Sequence, residues 1–148
     1  MEILNNITWY IEQDPKTATE KQNSQKLSKS NMDTIVFGDT DTKNPVKIAF
    51  PLNDNYKFFV IKEIARPATV GQILTFIYKF YKEPLDHDYM DEAFEEMEEW
   101  KEEIIDFYEG DITKLKNYDV FTDTCSPDFC GLEFNEETED YIVHIGPE

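Results

Sequence analysis

The chain reads as an α+β domain: an antiparallel sheet of two hairpins with two helices packed on one face. Three observations lead there. Two β-prone runs, 46–50 and 58–64, flank a turn-forming stretch. An apolar repeat at helical spacing then occupies 70–81, followed by a second one after Pro84. Two more β-prone runs, 131–134 and 141–145, close the sequence. Strands followed by helices followed by strands is the α+β pattern, here in the order β(β)βααββ without internal repeats.

Residues 1–12 carry Ile3, Leu4, Ile7, Trp9, Tyr10 and Ile11, whereas 13–33 are rich in Lys, Gln, Asn, Ser and Thr, with little beyond Leu27 and Met32 to bury. That composition suits a solvated segment. The expected organisation is therefore an N-terminal arm or flexible linker over 1–33 and a single domain over 34–148. Trp9 then docks on its own domain or meets a partner.

Thr34-Ile35-Val36-Phe37 is a short β-prone run closed by Gly38-Asp39. Val46-Lys47-Ile48-Ala49-Phe50 alternates as a half-buried strand does. Pro51 through Asn55 supplies turn residues. Phe58-Phe59-Val60-Ile61-Lys62-Glu63-Ile64 is dense in β-branched and aromatic side chains, so it pairs with the preceding strand as a hairpin.

Ala65-Arg66-Pro67-Ala68 breaks that strand. Thr69 and Gln72 have capping-box spacing. Val70, Ile73, Leu74, Ile77, Phe80 and Tyr81 then fall on one helical face. Pro84 stops the helix, because proline disfavours a helical residue before it. Asp86 or Asp88 caps a second helix running to about Tyr108, with Met90, Phe94, Met97, Trp100, Ile104 and Tyr108 as its apolar stripe. Gly131-Leu132-Glu133-Phe134 and Tyr141-Ile142-Val143-His144-Ile145 form the closing hairpin around 135–140.

Charge is divided sharply along the chain. Residues 84–148 hold 22 acids against three lysines, a net −19, while 1–83 hold 10 acids against 11 bases, a net +1. Such a chain is repelled by nucleic-acid phosphates and anionic membranes. Basic proteins, divalent cations and nucleic-acid-binding proteins remain as partners. Thirteen acids lie between Asp86 and Asp111, and lysine barely relieves them, unlike an ordinary mixed surface. Glu95, Glu96, Glu98, Glu99, Glu102 and Glu103 form the candidate docking face. Trp100, Tyr108 and Trp9 are the candidate aromatic anchors beside it.

Constellations for catalysis or metal binding are poor. Cys125 and Cys130, spaced CxxxxC, with His87 and His144 nominally make four zinc ligands, but the spacing does not fit structural zinc sites. Two thiols without a disulfide suit the pair better. Asp86-His87-Asp88 points its side chains in different directions, and Asp119, Asp123 and Asp128 do not make an EF-hand loop. There is no nucleophile elbow and no phosphate-cradling glycine loop. The sequence predicts no catalytic residues, no cofactor and no metal. The N-terminus lacks a basic region followed by an apolar stretch, and no run approaches the ~18 apolar residues of a membrane span. A soluble intracellular or virion protein is expected.

Thr69-Val70-Gly71-Gln72-Ile73-Leu74-Thr75-Phe76-Ile77-Tyr78-Lys79-Phe80-Tyr81-Lys82-Glu83-Pro84-Leu85 resembles a segment of small uncharacterised proteins of giant DNA viruses. Phe129-Cys130-Gly131-Leu132-Glu133 and Tyr141-Ile142-Val143-His144-Ile145-Gly146 resemble their closing segment. The resemblance spans 46–148 and implies a viral protein acting in the host cell or carried in the virion; it implies no activity. A hairpin followed by a helix opening Thr-Val-x-x-Ile-Leu is also similar to the first half of a ubiquitin-like β-grasp, an analogy of fold that carries no function.

The functional expectation is a non-enzymatic interaction protein that binds a basic partner through an acidic face. The alternatives are a nucleic-acid mimic that occupies a DNA- or RNA-binding protein, a virion structural component and a metal-dependent enzyme.

Overall fold

The structure, a computed structural model, describes residues 2–40, 42–53, 56–121 and 127–146. In chain order its elements are α1 (Glu2–Asn5), β1 (Ile7–Thr8), β2 (Thr19–Glu20), α2 (Lys29–Met32), β3 (Ile35–Phe37), β4 (Val46–Pro51), β5 (Phe59–Ile64) and β6 (Ala68–Thr69). They continue with α3 (Val70–Lys82), α4 (Met90–Ala93), α5 (Glu98–Phe107), β7 (Phe129–Asn135) and β8 (Asp140–Ile145). Helices and antiparallel strand pairs together make an α+β fold.

Both expected hairpins form. β4 and β5 pair from Val46 opposite Ile64 to Pro51 opposite Phe59, and β7 pairs with β8 from Phe129 opposite Ile145 to Asn135 opposite Asp140. They join into one four-stranded sheet, β5-β4-β8-β7, through a parallel pairing of β4 with β8 at Ile48 and Tyr141. Hairpins that meet through first and last strands need the intervening helices to carry the chain back across the sheet.

Side chains alternate along β4. Val46, Ile48 and Phe50 face α3 and are buried. The Phe50 ring stacks on Phe80 at 4.1 Å and meets Tyr81 and Phe76 at 5.7 Å each. Aromatic pairs at these separations add about 0.5–1.5 kcal/mol each beyond their area burial. Tyr81 is fully buried, and its hydroxyl donates to Pro51 O at 2.8 Å.

The capping box of α3 forms as expected: Thr69 Oγ1 accepts from Gln72 N at 3.2 Å and Gln72 Oε1 accepts from Thr69 N at 2.9 Å. Gly71 lets Met32 of α2 approach; a Cβ there would lie 3.3 Å from Met32 O. Asn117, itself buried, donates to Phe80 O at 2.7 Å near the helix's end.

Residues 1–33, expected as an arm or linker, contribute to the core in the structure. Leu4, Ile7, Trp9, Ile11 and Ala18 are buried in the same cluster as the sheet. Phe129 N donates to Trp9 O at 2.8 Å and Ile11 N to Pro127 O at 3.2 Å. Asn5 lies so close to Gly131 that a Cβ there would sit 2.0 Å from Asn5 Oδ1. The polar composition of 13–33 obscured this, because the burial is concentrated in the few apolar residues before it.

The second helix is not continuous. After the turn His87–Tyr89 and α4, the chain leaves helical geometry at Phe94, and Glu96 adopts φ 63° before α5 begins. Two causes converge. An unbroken helix aligns Glu92, Glu95, Glu96, Glu98 and Glu99 in i,i+3 and i,i+4 pairs, each costing about 0.2–0.5 kcal/mol. Phe94 also turns into the core, and Asn53 Nδ2 donates to Glu92 O at 3.3 Å. Asn53 is itself buried, and its Oδ1 accepts from Lys57 N at 2.9 Å.

Candidate interaction face

α5 displays its acids on one side. At about 100° per residue, Glu98, Glu102, Asp106, Glu99 and Glu103 follow one another over an arc of about 140°. All five are exposed. Among the described residues, no lysine or arginine lies within ion-pair distance of these carboxylates. Glu98 and Glu99 sit favourably at the helix N-terminus, whereas Glu102, Glu103 and Asp106 run toward the negative end of the helix dipole. The face is thus tolerated at some electrostatic cost. Glu95 and Glu96 are exposed too, but they lie in the break before α5.

Beside the arc stands Phe107, 74 % exposed, the most exposed large apolar side chain among the described residues. Its ring meets Tyr108 edge-on at 5.1 Å. Sequence periodicity hid it: Phe107 lies three residues after Ile104 and seven after Trp100, spacings that suggest the buried stripe. The helix ends at Phe107, and the ring stays outside the buried stripe.

The opposite side of α5 is fastened to the turn Asn117–Val120. Trp100 Nε1 donates to Asp119 O at 2.8 Å, and the Tyr108 hydroxyl donates to Asp119 Oδ2, also at 2.8 Å. The same carboxylate oxygen accepts from Lys116 N at 2.8 Å. Asp119 is only 6 % exposed. Burial raises its pKa, while the Lys116 N–H and the Tyr108 hydroxyl oppose the rise. Tyr108 is pushed up by burial first and then by its bond to Asp119. Tyr118 is raised by burial and by the charges of Asp119 and Glu12, and Glu12 by burial and by Asp119. Carboxylates from the N-terminal segment and from the turn thus repel one another behind the acidic helix.

The expected aromatic anchors separate accordingly. Trp100 and Tyr108 are half-buried, with their polar atoms engaged by Asp119. Trp9 is 2 % exposed, with its ring 5.8 Å from Phe129 and its Nε1 donating to Gln13 O. The fold withdraws it from any docking surface, because its large apolar area is worth more inside. Phe107 and Asp106 are the members of the face that the sequence reading left out.

Among the described residues, no three of His, Cys, Asp and Glu come together where they would hold a metal ion. His144 Nε2 lies 2.5 Å from Glu133 Oε2 at the closing hairpin. Cys130 Sγ contacts Asp128 O and Gly146 O at 3.6 Å each. Cys125, the other half of the CxxxxC, lies outside the described residues. No helix among the described residues is long and apolar enough to cross a membrane. Comparison with family models, with curated proteins and with solved structures gives no match for this chain.

Proposed function

We propose that this chain is a non-enzymatic interaction protein that binds a basic partner protein through the outer face of α5. The observation that carries the reading is the contiguous exposed arc of Glu98, Glu99, Glu102, Glu103 and Asp106 with Phe107 at its margin. The carboxylates raise the encounter rate with a cationic surface. Phe107 supplies the apolar contact that a rim of charges lacks, since exposed charge pairs add little affinity. Mimicry of a nucleic-acid duplex is the weaker reading. α5 has 10 residues, a run of only about 15 Å, too short to imitate a long row of phosphates. On the sequence resemblance, the partner belongs to a cell infected by a large DNA virus.

The test is capture from infected-cell lysate at low and high salt. Wild-type protein is compared with the variant carrying Glu98→Lys, Glu102→Lys and Asp106→Lys. The reading expects a basic protein that is retained at low salt, released at high salt and lost in the variant. A partner held equally by both proteins, or the absence of any basic partner at low salt, refutes it.

A further inference from the structure

Arg66 is the only arginine of the chain, and the fold holds it without a carboxylate. Its Nε donates to Asn44 O at 2.8 Å and its Nη1 to Gly38 O at 3.0 Å. Its guanidinium carbon lies 5.9 Å from the centre of the Phe37 ring, a cation–π arrangement. Among the described residues no Asp or Glu lies within ion-pair distance of it, although the chain has 32 acids. Nη2 takes no part in these bonds. A guanidinium fixed in this way keeps part of its planar donor fork for an oxyanion from outside.

Arg66 lines a cavity of about 480 Å³ together with Lys47 of β4, Phe134 of β7, Tyr141 of β8 and Glu139 of the turn between those two strands. That volume is in the range of small-molecule sites. The Phe134 and Tyr141 rings lie 5.0 Å apart, and Phe37 continues the row 4.8 Å beyond Tyr141. Phe134 is 47 % exposed, so its ring is open to a further planar group. Glu139 is the one carboxylate among the described lining residues. Its turn is braced: Glu139 N donates to Asn135 O at 2.8 Å, and Thr138 Oγ1 donates to Asp140 Oδ1 at 2.8 Å.

We propose that this cavity binds a guanine mononucleotide. Cations, open rings and a fixed acceptor meet in it, and each answers a different part of that ligand. Arg66 and Lys47 take the phosphate. The exposed Phe134 ring stacks on the base, as aromatic side chains do with any base. Glu139 decides which base. An ionised carboxylate only accepts hydrogen bonds, so it selects a ring edge made of donors. Guanine presents two adjacent N–H donors there, whereas adenine sets one amino group beside an acceptor. With Glu139 engaged by the base, its charge faces the base and not the phosphate. Both cations come from the half of the chain whose charges balance, and at physiological ionic strength the acids beyond about 8 Å are screened. The site is independent of the acidic face of α5.

The test titrates ¹⁵N-labelled full-length protein with guanosine monophosphate to about 5 mM, to reach weak binding, in buffer free of divalent cations so that no metal bridges the phosphate to a carboxylate. Adenosine monophosphate and ribose 5-phosphate are the controls. The guanine nucleotide should give saturable shifts at the amides around Lys47, Arg66 and the β7–β8 turn, and should bind about tenfold or more tightly than either control. Two variants at exposed positions divide the roles. Lys47→Glu should weaken the guanine nucleotide by about tenfold or more, and Glu139→Ala should abolish the preference for guanine over adenine. The absence of saturable shifts, shifts mapping to another surface, or equal affinity for the two nucleotides overturns the proposal. So does ribose 5-phosphate binding as tightly as the guanine nucleotide, unchanged binding in Lys47→Glu, or a guanine preference that survives Glu139→Ala.

Discussion

Tyr108 donates its hydroxyl hydrogen to Asp119 at 2.8 Å, and that bond joins the end of the acidic helix to the body of the protein. The helix carries carboxylates outward while leaning inward on another carboxylate. Trp100 reinforces the contact at the same residue, through Asp119 O rather than the side chain. Removing Asp119 therefore loosens α5 without touching its outer face. Asp119→Ala leaves the Tyr108 hydroxyl and Lys116 N without their acceptor, at a cost of about 1–3 kcal/mol. Urea unfolding should show the loss as a lower midpoint at an unchanged slope.

The pH response follows from the same cluster. Asp119 and Glu12 both have pKa values raised in the folded state, by burial first in each case. The folded protein thus binds protons more readily than the unfolded chain in the window above the unfolded carboxylate pKa values. In that window stability falls as pH rises and grows as pH falls. Mild acidification from neutrality should raise the urea midpoint. Asp119→Asn retains an acceptor for Tyr108 and removes the titration, so its midpoint should vary less with pH than that of the wild type. An equal slope in both proteins would place the effect in the other carboxylates.

Phe107 separates binding from folding. The side chain is 74 % exposed, so Phe107→Ala should change stability by less than about 0.5 kcal/mol. On the proposed function, the variant should lose affinity for a partner captured by wild type by more than about 1 kcal/mol, the range of an interface anchor. Calorimetric titration of both proteins with that partner measures it.

Much of the fold is legible in the sequence because its strongest signals are local. The α3 stripe from Val70 to Tyr81, the capping box at Thr69 and Gln72, and the paired runs of both hairpins each state a period or a spacing that neighbouring residues enforce. The parallel joining of β4 to β8 was not legible, since residues such as Ile48 and Tyr141 are far apart along the chain and nothing local encodes their register. The break at Phe94–Met97 was hidden for a related reason: a helical period continues across it, and the tie that favours the break comes from Asn53, distant in sequence. The acidic face was visible in composition. Its aromatic partner was not, because Phe107 has the spacing from Trp100 and Ile104 that marks a buried stripe.

The N-terminal segment gives a direct test of domain extent. Trp9 fills the space against Phe129 and is 2 % exposed. Trp9→Ala leaves a large cavity, and such truncations cost about 3–5 kcal/mol. A chain lacking residues 1–33 loses Leu4, Ile7, Trp9 and Ile11 together and uncovers the β7 edge. It should aggregate or unfold, whereas a separable arm would leave a thermal transition unchanged on deletion.

Gly131 is the most constrained point of that contact. Its φ of +109° lies where side chains are disfavoured, and a Cβ would overlap Asn5 Oδ1 at 2.0 Å. Two costs are separable. Gly131→Ala incurs both backbone strain, of order 1–3 kcal/mol, and the displacement of Asn5. Adding Asn5→Gly removes the overlap and leaves the strain. The double variant should therefore be more stable than Gly131→Ala plus the separate effect of Asn5→Gly, a coupling visible in a double-mutant cycle. Strict additivity would mean that Asn5 moves aside at no cost, leaving the backbone bonds of Trp9 and Ile11 as what holds the N-terminal segment to β7.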